Sequence, residues 1–179
     1  MAASKVAEKY DLSKKAYVVV LHHHKYTESF MDRKGSAVDL ALIKDFFRFY
    51  RTEPDDLDIH ENLSLLQVRL LMDGIYQKDF SAYSCLIVII MGHGAENDTI
   101  LADVYYNKKK ELVRDVYFLD EDVMEKVAMN RTLAGKPKMF IVNACRGENR
   151  VEVDSAVRRE RYDNSDTIRF QSTFEGIRI

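Results

Sequence analysis

The chain contains three runs of apolar residues without alternation, at residues 16–21, 85–91 and 139–142. Such runs are typical of strands that are covered on both faces, as in a parallel sheet. Three further segments predict shorter strands, at residues 56–63, 99–106 and 116–119. The last two of these flank a lysine-rich turn at residues 107–110.

Apolar residues at helical spacing predict two helices between these strands. The first, over residues 36–51, begins at Ser36 with a capping-box pattern. The second begins at Ser64, which is followed three residues later by Gln67, and ends near Tyr76.

A third helix, over residues 120–129, is expected to have Asp120 as its N-cap. Because strands and helices alternate, the chain predicts an α/β fold, with a mainly parallel β-sheet flanked by helices on both faces in three layers. From residue 148 onward charged and small polar residues replace the apolar periodicity, which predicts a loop or linker. We therefore divide the chain into an N-terminal segment (1–15), one globular domain (16–147) and a C-terminal tail (148–179).

Composition excludes several classes of protein. With 179 residues, 46% of them hydrophobic, the chain has enough apolar content for one sizeable core. A net charge of -2 argues against binding to nucleic acid or to an anionic membrane surface. Two cysteines, one of them in a buried run, do not make a disulfide framework, and no apolar stretch has signal-peptide or membrane-spanning length. We therefore expect a cytoplasmic protein.

Candidate chemistry lies at the ends of two predicted buried strands. His93 follows the run 85–91 within Gly92-His93-Gly94, and Cys145 follows the run 139–142. Reacting groups collect at the carboxyl ends of parallel strands. A cysteine attacks a carbonyl as the thiolate, which a nearby histidine favours, and the backbone N–H groups of Gly94 and Cys145 are suited to bind an oxyanion.

Three adjacent histidines, His22, His23 and His24, also suggest a metal cluster. Successive side chains of a strand point to opposite faces, so the three rings do not easily converge on one ion. We therefore expect no metal site and no cofactor.

Two segments together resemble the signature of the caspase family. One is Asn143-Ala144-Cys145-Arg146-Gly147, and the other is Gly92-His93-Gly94, whose histidine lies 52 residues upstream of the cysteine. The likeness extends to Arg33-Lys34-Gly35-Ser36 and to Gly135-Lys136-Pro137-Lys138. Residues 10–147 as a whole are similar to a caspase large subunit. The resemblance implies a cysteine endopeptidase that cleaves after aspartate in apoptosis or a related cascade.

The resemblance also implies a role for each matching residue. Cys145 corresponds to the nucleophile and His93 to the general acid and base, with an oxyanion hole at Gly94 and Cys145. Arg33 corresponds to the arginine that binds the P1 aspartate, because its planar fork pairs with a carboxylate through two hydrogen bonds. Asn143 stands where the family usually has a glutamine of the P1 pocket, and the backbone carbonyl of Met31 is expected to orient the imidazole.

Partners and processing follow from the same resemblance. The chain carries nothing that resembles a caspase small subunit, so we expect it to require one, to form homo- or heterodimers of caspase-like protomers, and to meet adaptor or inhibitor proteins. Zymogen cleavage is expected in the tail, after Asp154, Asp166 or Glu175, each followed by a small residue. The protein substrates are expected to carry aspartate at P1.

Two alternatives stay open. The first is a catalytically weak caspase-like regulator that binds an active caspase, which Asn143 and the lack of a small subunit favour and the intact His93 and Cys145 oppose. The second is a relative such as a metacaspase, which shares the dyad and prefers basic P1 residues. An acidic dipeptide beside the cysteine would support that second alternative, and the residues around Cys145 do not supply one.

Overall fold

The computed structural model describes residues 10–49, 53, 56–95, 97–144 and 165–171. Its strands, in chain order, are β1 (Lys15–His22), β2 (Leu57–Glu61), β3 (Tyr83–Met91), β4 (Gly94–Ala95), β5 (Thr99–Tyr106), β6 (Leu112–Phe118), β7 (Lys138–Asn143) and β8 (Thr167–Gln171). The helices are α1 (Ser36–Phe49), α2 (Leu65–Gln77) and the short α3 (Glu125–Ala128). Strands β2, β1, β3, β7 and β8 form, in that order, one sheet in which every pair is parallel.

The two faces of this sheet carry separate hydrophobic layers, because alternate residues of each strand point in opposite directions. Val18, Val20, Ile87 and Ile89 face α1, where they meet Leu40 and Phe47. The intervening residues of the same strands pack against α2 and α3 on the other face. The predicted three-layer α/β architecture is therefore confirmed.

The boundaries of α1 and α2 agree closely with the sequence pattern. At α2 the Ser64 hydroxyl accepts a hydrogen bond from the Gln67 N–H at 3.4 Å, and the Gln67 side chain accepts one from the Ser64 N–H at 2.9 Å. This capping box satisfies two backbone donors that a helix start leaves without partners. Helix α1 begins at Ser36 as predicted, although the Ser36 hydroxyl contacts His22 and Arg33.

The third predicted helix differs from the sequence expectation. Residues Leu119–Met124 form a π-helical turn that continues into α3, and the N-cap is Phe118. The wider turn brings the Asp122 carboxylate to the Phe118 N–H at 2.8 Å. The assignment of Asp120 as the cap is therefore wrong: its carboxylate instead lies 3.5 Å from the guanidinium of Arg169.

A small antiparallel sheet, β4-β5-β6, projects from the end of β3. The hairpin between β5 and β6 turns at residues 107–110, where the Asn107 side chain accepts hydrogen bonds from the N–H groups of Lys109 and Glu111. The lysine-rich turn is thus where the sequence predicts it. Strand β6 begins at Leu112, earlier than the predicted segment 116–119.

The tail contains a strand that the sequence interpretation missed. Residues 167–171 form β8, which pairs in parallel with β7, whereas the pattern predicted a loop throughout 148–179. The guanidinium of Arg169 anchors the strand, since it lies 2.9 Å from the Asp98 carboxylate with only 15% of its side chain exposed. Residues 145–164 and 172–179 of the predicted tail lie outside the described residues. Among the described helices, none has the length and apolar character needed to cross a membrane.

Candidate active site

The register of β3 and β7 brings two chemistry-bearing segments to the same end of the sheet, here called the carboxyl edge. Met91 pairs with Asn143, and the Gly92 N–H donates a hydrogen bond to the Asn143 carbonyl at 3.2 Å. His93 is the second residue after Met91 on one strand. Cys145, the second residue after Asn143 on the other, lies outside the described residues.

The His93 side chain is fixed by two neighbours. Its Nε2 lies 2.8 Å from the carbonyl oxygen of Met31, which is the contact that the resemblance leads one to expect. Its backbone N–H donates to the Tyr26 hydroxyl at 3.3 Å, and the two rings lie 5.4 Å apart. Since a carbonyl only accepts, Nε2 carries the proton in the neutral ring and Nδ1 is left as the basic nitrogen.

Burial lowers the pKa of His93, and the nearby positive charge of Arg33 lowers it further. The hydrogen bond to the Met31 carbonyl acts in the opposite direction, because it favours the protonated ring. The net shift is downward, so the ring is neutral near pH 7 and able to accept a proton.

The two glycines beside His93 serve different geometric needs. A Cβ on Gly92 would lie 3.3 Å from Ile100 Cγ2 and 3.5 Å from the His23 Cβ, so the turn leaves little room for a side chain. Gly94 pairs with Ile100, and the His93 carbonyl accepts the Leu101 N–H at 2.9 Å. In an antiparallel ladder this bond marks Gly94 as a non-hydrogen-bonded position, so its N–H points away from β5.

Arg33 lies in the loop between β1 and α1, two residues after Met31. Its N–H donates to the His24 carbonyl at 3.0 Å, and its guanidinium donates to the Ser36 hydroxyl at 3.2 Å. The guanidinium also lies near enough to His93 to affect its pKa. Arg33 is therefore part of the same region as His93. Asn143, at the end of β7, is partly buried at this edge.

Three residues that the sequence interpretation did not assign to this region, Tyr26, His23 and Tyr117, support it. Tyr26 is 7% exposed and links the His93 backbone to the β1 loop. His23 lies beneath Gly92, fully buried, with its Nε2 3.1 Å from the hydroxyl of Tyr117. Burial lowers the pKa of His23 to about 4. A lone tyrosine in a polar loop carries no periodic signal, so Tyr26 could not have been found from sequence.

Of the predicted processing sites, Asp154 and Glu175 lie outside the described residues. Asp166 is described: it has a left-handed backbone (φ 61°), and its carbonyl accepts the Lys138 N–H at 2.8 Å. Its carboxylate also accepts a hydrogen bond from the Tyr10 hydroxyl. These contacts tie Asp166 to the start of β7 and β8, which differs from the exposed loop expected from sequence.

One group of side chains among the described residues could hold a metal ion. It consists of His22, His24 and Glu61, and its ligand atoms all lie within 4.8 Å of one another. Two of the three adjacent histidines therefore point the same way, while His23 points to the opposite side, toward Tyr117.

A parallel sheet in which the strand that precedes Cys145 in sequence pairs with the strand that precedes Gly92-His93-Gly94 is typical of caspase-like α/β proteins. The family model described as "Caspase domain" matches residues 15–176. The chain therefore belongs to the caspase domain family. The match extends beyond residue 147, where the sequence interpretation ended the globular domain.

Relatives are distant. Caspase-3 of Mus musculus is 28% identical over 162 residues, which cover 85% of this chain and 52% of the relative. Caspase-3 of Oryctolagus cuniculus is 31% identical over 139 residues, covering 75% and 44%. The chain thus spans about half the length of these relatives. Among solved structures, pro-Sf-caspase-1 superposes with a TM-score of 0.66 at 21% identity, covering 83% of this chain and 59% of that one, which confirms the caspase-like fold.

Proposed function

We propose that this chain is the large, catalytic subunit of a cysteine endopeptidase that cleaves proteins after aspartate, in the cytoplasm, in apoptosis or a related proteolytic cascade. The observation that carries the proposal is the hydrogen bond by which the Met31 carbonyl holds Nε2 of His93 at the carboxyl edge of the sheet. Its basic Nδ1 is the nitrogen available to take a proton from a thiol. Cys145 is the nucleophile in this proposal.

The reaction uses these groups in sequence. His93 accepts the thiol proton of Cys145, the thiolate attacks the scissile carbonyl, and the protonated His93 then gives its proton to the leaving amine. Water hydrolyses the resulting thioester with His93 acting again as base. The Gly94 N–H, which points away from β5, and the Cys145 N–H bind the oxyanion, and each donor of this kind typically contributes on the order of 100- to 1000-fold in rate.

Arg33 binds the P1 carboxylate in this proposal. Its guanidinium reaches Ser36 with one nitrogen, which leaves the other edge of the planar fork for a substrate. Asn143 lines the same pocket, one methylene shorter than the glutamine usual in the family.

An exposed apolar surface on β7 and β8 supports a small subunit as the partner. Over β1 and β3 the sheet is covered by α1, whereas on the same face Ile141, Ile168 and Phe170 of β7 and β8 are 38%, 46% and 54% exposed. A row of large apolar side chains on adjacent strands marks an interaction surface. In the proposal this surface packs against the small subunit, and a Phe170→Ser variant loses that association while keeping its fold.

The test of the dyad uses the two cysteines of the isolated chain. Cys85 is buried in β3 and burial raises the pKa of its thiol, so it serves as an internal unreactive control. We expect iodoacetamide to alkylate Cys145 near pH 7, and His93→Ala to slow that reaction by on the order of tenfold, because the thiolate fraction falls. Equal alkylation rates with and without the imidazole would contradict the proposal.

Substrate specificity is tested after adding a caspase small subunit. Peptides with aspartate or asparagine at P1 are compared, and Cys145→Ala should abolish cleavage of both. Arg33→Lys keeps the charge and loses the fork, so we expect kcat/KM for the aspartate peptide to fall by about 10- to 100-fold and for the asparagine peptide to change much less. Equal losses on the two peptides would mean that Arg33 does not bind the P1 carboxylate.

Asn143 favours a second candidate function, a catalytically weak regulator that binds an active caspase. In that case Asn143→Gln should raise cleavage after aspartate, whereas the unmodified chain should alter the activity of an active caspase when the two are mixed. If the unmodified chain cleaves efficiently with its small subunit, the regulator function is excluded.

A further inference from the structure

A second cluster of ligand-type side chains lies at the carboxyl edge, on the β2 side of the sheet. His22 ends β1 and Glu61 ends β2, and the parallel register pairs these two residues directly. His24 follows His22 by two residues, and its ring stacks on that of His22 with centroids 4.4 Å apart. The ends of two paired strands and the residues just after β1 therefore bring two imidazoles and a carboxylate together.

We propose that His22 Nδ1, His24 Nε2 and a carboxylate oxygen of Glu61 bind a divalent transition metal ion, with Zn²⁺ preferred. Two imidazoles and one carboxylate are a common three-ligand set for zinc, which leaves a fourth tetrahedral position for water or another ligand. Nothing in the proposed peptidase chemistry uses these residues, so this site does not rest on that function.

The His22 ring provides the strongest evidence. Its side chain is 1% exposed, and among the described residues its Nδ1 has no hydrogen-bond partner. That nitrogen lies 3.6 Å from Glu61 Oε2, while Nε2 lies 2.5 Å from the Ser36 hydroxyl. When Nε2–H donates to Ser36, Nδ1 presents a lone pair toward Glu61, which is how an outer hydrogen bond orients a metal-binding histidine.

His24 also directs a ring nitrogen toward Glu61, from the other side of the carboxylate. Its Nε2 lies 2.9 Å from Glu61 Oε2 and 3.1 Å from the Asn62 side-chain nitrogen. The Asn62 oxygen already accepts the N–H groups of His24 and Lys25, so its nitrogen is the donor facing His24. One ring nitrogen cannot donate to Glu61 and accept from Asn62 at once. With the nitrogen unprotonated, a metal ion between it and Glu61 removes the repulsion between lone pair and carboxylate.

The spacing of the ligand atoms suits zinc. Ligands about 2.0–2.1 Å from a tetrahedral ion lie roughly 3.3–3.5 Å from one another. The two distances to Glu61 Oε2, 3.6 Å from His22 and 2.9 Å from His24, lie on either side of that value. The rings are within 12° of parallel, so one must tilt for both lone pairs to aim at one ion. His24 is the ring that turns, because it is 20% exposed and lies beyond the end of β1.

Asn62 holds the backbone of the site in place before any ion binds. It adopts a left-handed conformation (φ 53°), its N–H donates to the His22 carbonyl at 2.9 Å, and its side chain accepts from the N–H groups of His24 and Lys25. The ends of β1 and β2 are thereby tied together. The expectation of no metal rested on three adjacent histidines. The site uses only the two that share a face and takes its third ligand from the next strand.

The test uses the full chain with Cys145→Ala, so that the candidate nucleophile cannot bind zinc. Zn²⁺ is titrated in competition with a chromogenic chelator, and Co²⁺ is added separately because its visible absorption reports tetrahedral coordination. We expect one Zn²⁺ per chain, a tetrahedral Co²⁺ spectrum and a melting temperature that rises with Zn²⁺ concentration. Absence of Zn²⁺ binding would overturn the proposal.

Ligand variants assign the site. His24→Ala and Glu61→Gln should each weaken Zn²⁺ binding by at least about tenfold, and Ser36→Ala should weaken it by about tenfold through His22. His60→Ala is the matched control, because His60 is a partly exposed histidine that precedes Glu61 on β2 and pairs with Asp58 instead. Glu61 is 44% exposed, so Glu61→Gln carries the test even where a histidine variant fails to fold. Unchanged affinity in Glu61→Gln, or an equal loss in His60→Ala, would place the ion elsewhere and refute the site.

Discussion

One substitution, glycine to alanine, is expected to have opposite effects at two positions of this chain. At Gly92 the added Cβ meets Ile100 Cγ2 at 3.3 Å and the Cβ of His23 at 3.5 Å. Both neighbours are buried, at 1% and 0% exposure, so neither has open space to move into. At Gly74, inside α2, the added Cβ meets nothing within 4 Å.

The magnitudes follow from these surroundings. Inserting a methyl group into a packed core typically costs about 1–3 kcal/mol, and a closest contact of 3.3 Å places Gly92→Ala near 1 kcal/mol. Gly74→Ala removes backbone freedom from the unfolded chain and improves helix propensity, which stabilises by about 0.5–1 kcal/mol. The two variants should therefore differ in free energy of unfolding by about 2 kcal/mol.

Urea unfolding followed by circular dichroism measures this difference, since the chain has no tryptophan to provide a fluorescence signal. A second measurement separates packing from function. Gly92→Ala displaces the segment that carries His93, so alkylation of Cys145 should slow in that variant and stay unchanged in Gly74→Ala. If Gly92→Ala were as stable as the parent chain, the close packing of the turn on His23 and Ile100 would be refuted.

Three further predictions concern other parts of the fold. Ser64→Ala should lower the free energy of unfolding by about 1 kcal/mol in urea, because the capping box is lost, and no change would contradict the role of the cap. Asn130 is 3% exposed and donates to the carbonyls of Ile75 and Lys78 at 2.8 and 2.9 Å. Asn130→Asp should therefore lower the free energy of unfolding by about 2–3 kcal/mol near neutral pH, and part of that stability should return as acid protonates the new carboxylate. Equal stability of the variant and the parent chain would refute the assignment of those bonds. The folded state lowers the pKa of His93 from 6.5, so the unfolded chain binds a proton at this imidazole more readily than the folded chain does. The free energy of unfolding should therefore fall as the pH drops below about 6.5. His93→Gln should show a smaller loss of stability over the same pH range.

Much of the fold could be predicted because its signals are local. Uninterrupted apolar runs identified β1, β3 and β7, and Ser64 with Gln67 identified the start of α2 within one turn. The alternation of strands and helices then left a parallel sheet as the natural arrangement. These elements combine strong periodicity with recognisable end signals.

The errors share a physical cause, since each depends on contacts between distant residues. Asp120 looked like an N-cap, but the helical turn begins after Phe118, whose N–H donates to the Asp122 carboxylate, while Asp120 faces Arg169. Strand β8 has an alternating pattern at Ile168 and Phe170, yet its charged surroundings outweighed that short signal. Its stability comes from β7 and from the ion pair of Arg169 with Asp98, neither of which is adjacent in sequence.

One contact of the candidate site was expected from the resemblance, since His93 and the Met31 carbonyl lie in hydrogen-bond contact. The roles of His93, Gly94 and Arg33 stay predictions. Tyr26, which accepts the His93 N–H, has no sequence signature because its position depends on how two loops meet. The grouping of His22 and His24 with Glu61 was not visible for the same reason, since Glu61 joins the histidines only through strand pairing.

The parallel pairing of β8 with β7 has a consequence for any cut in the chain between them. The connection from residue 144 to residue 166 must return from one end of the sheet to the other, and it contains Asp154. Once that connection is severed, β7 and β8 belong to separate polypeptides, which among the described residues are held together by the ladder, by Arg169 with Asp98 and by Tyr10 with Asp166. The fraction of β8 that stays bound to β7 then depends on protein concentration, because the covalent connection that kept the effective concentration of β8 high is gone. Limited proteolysis would thereby convert a fixed part of the sheet into an exchangeable one.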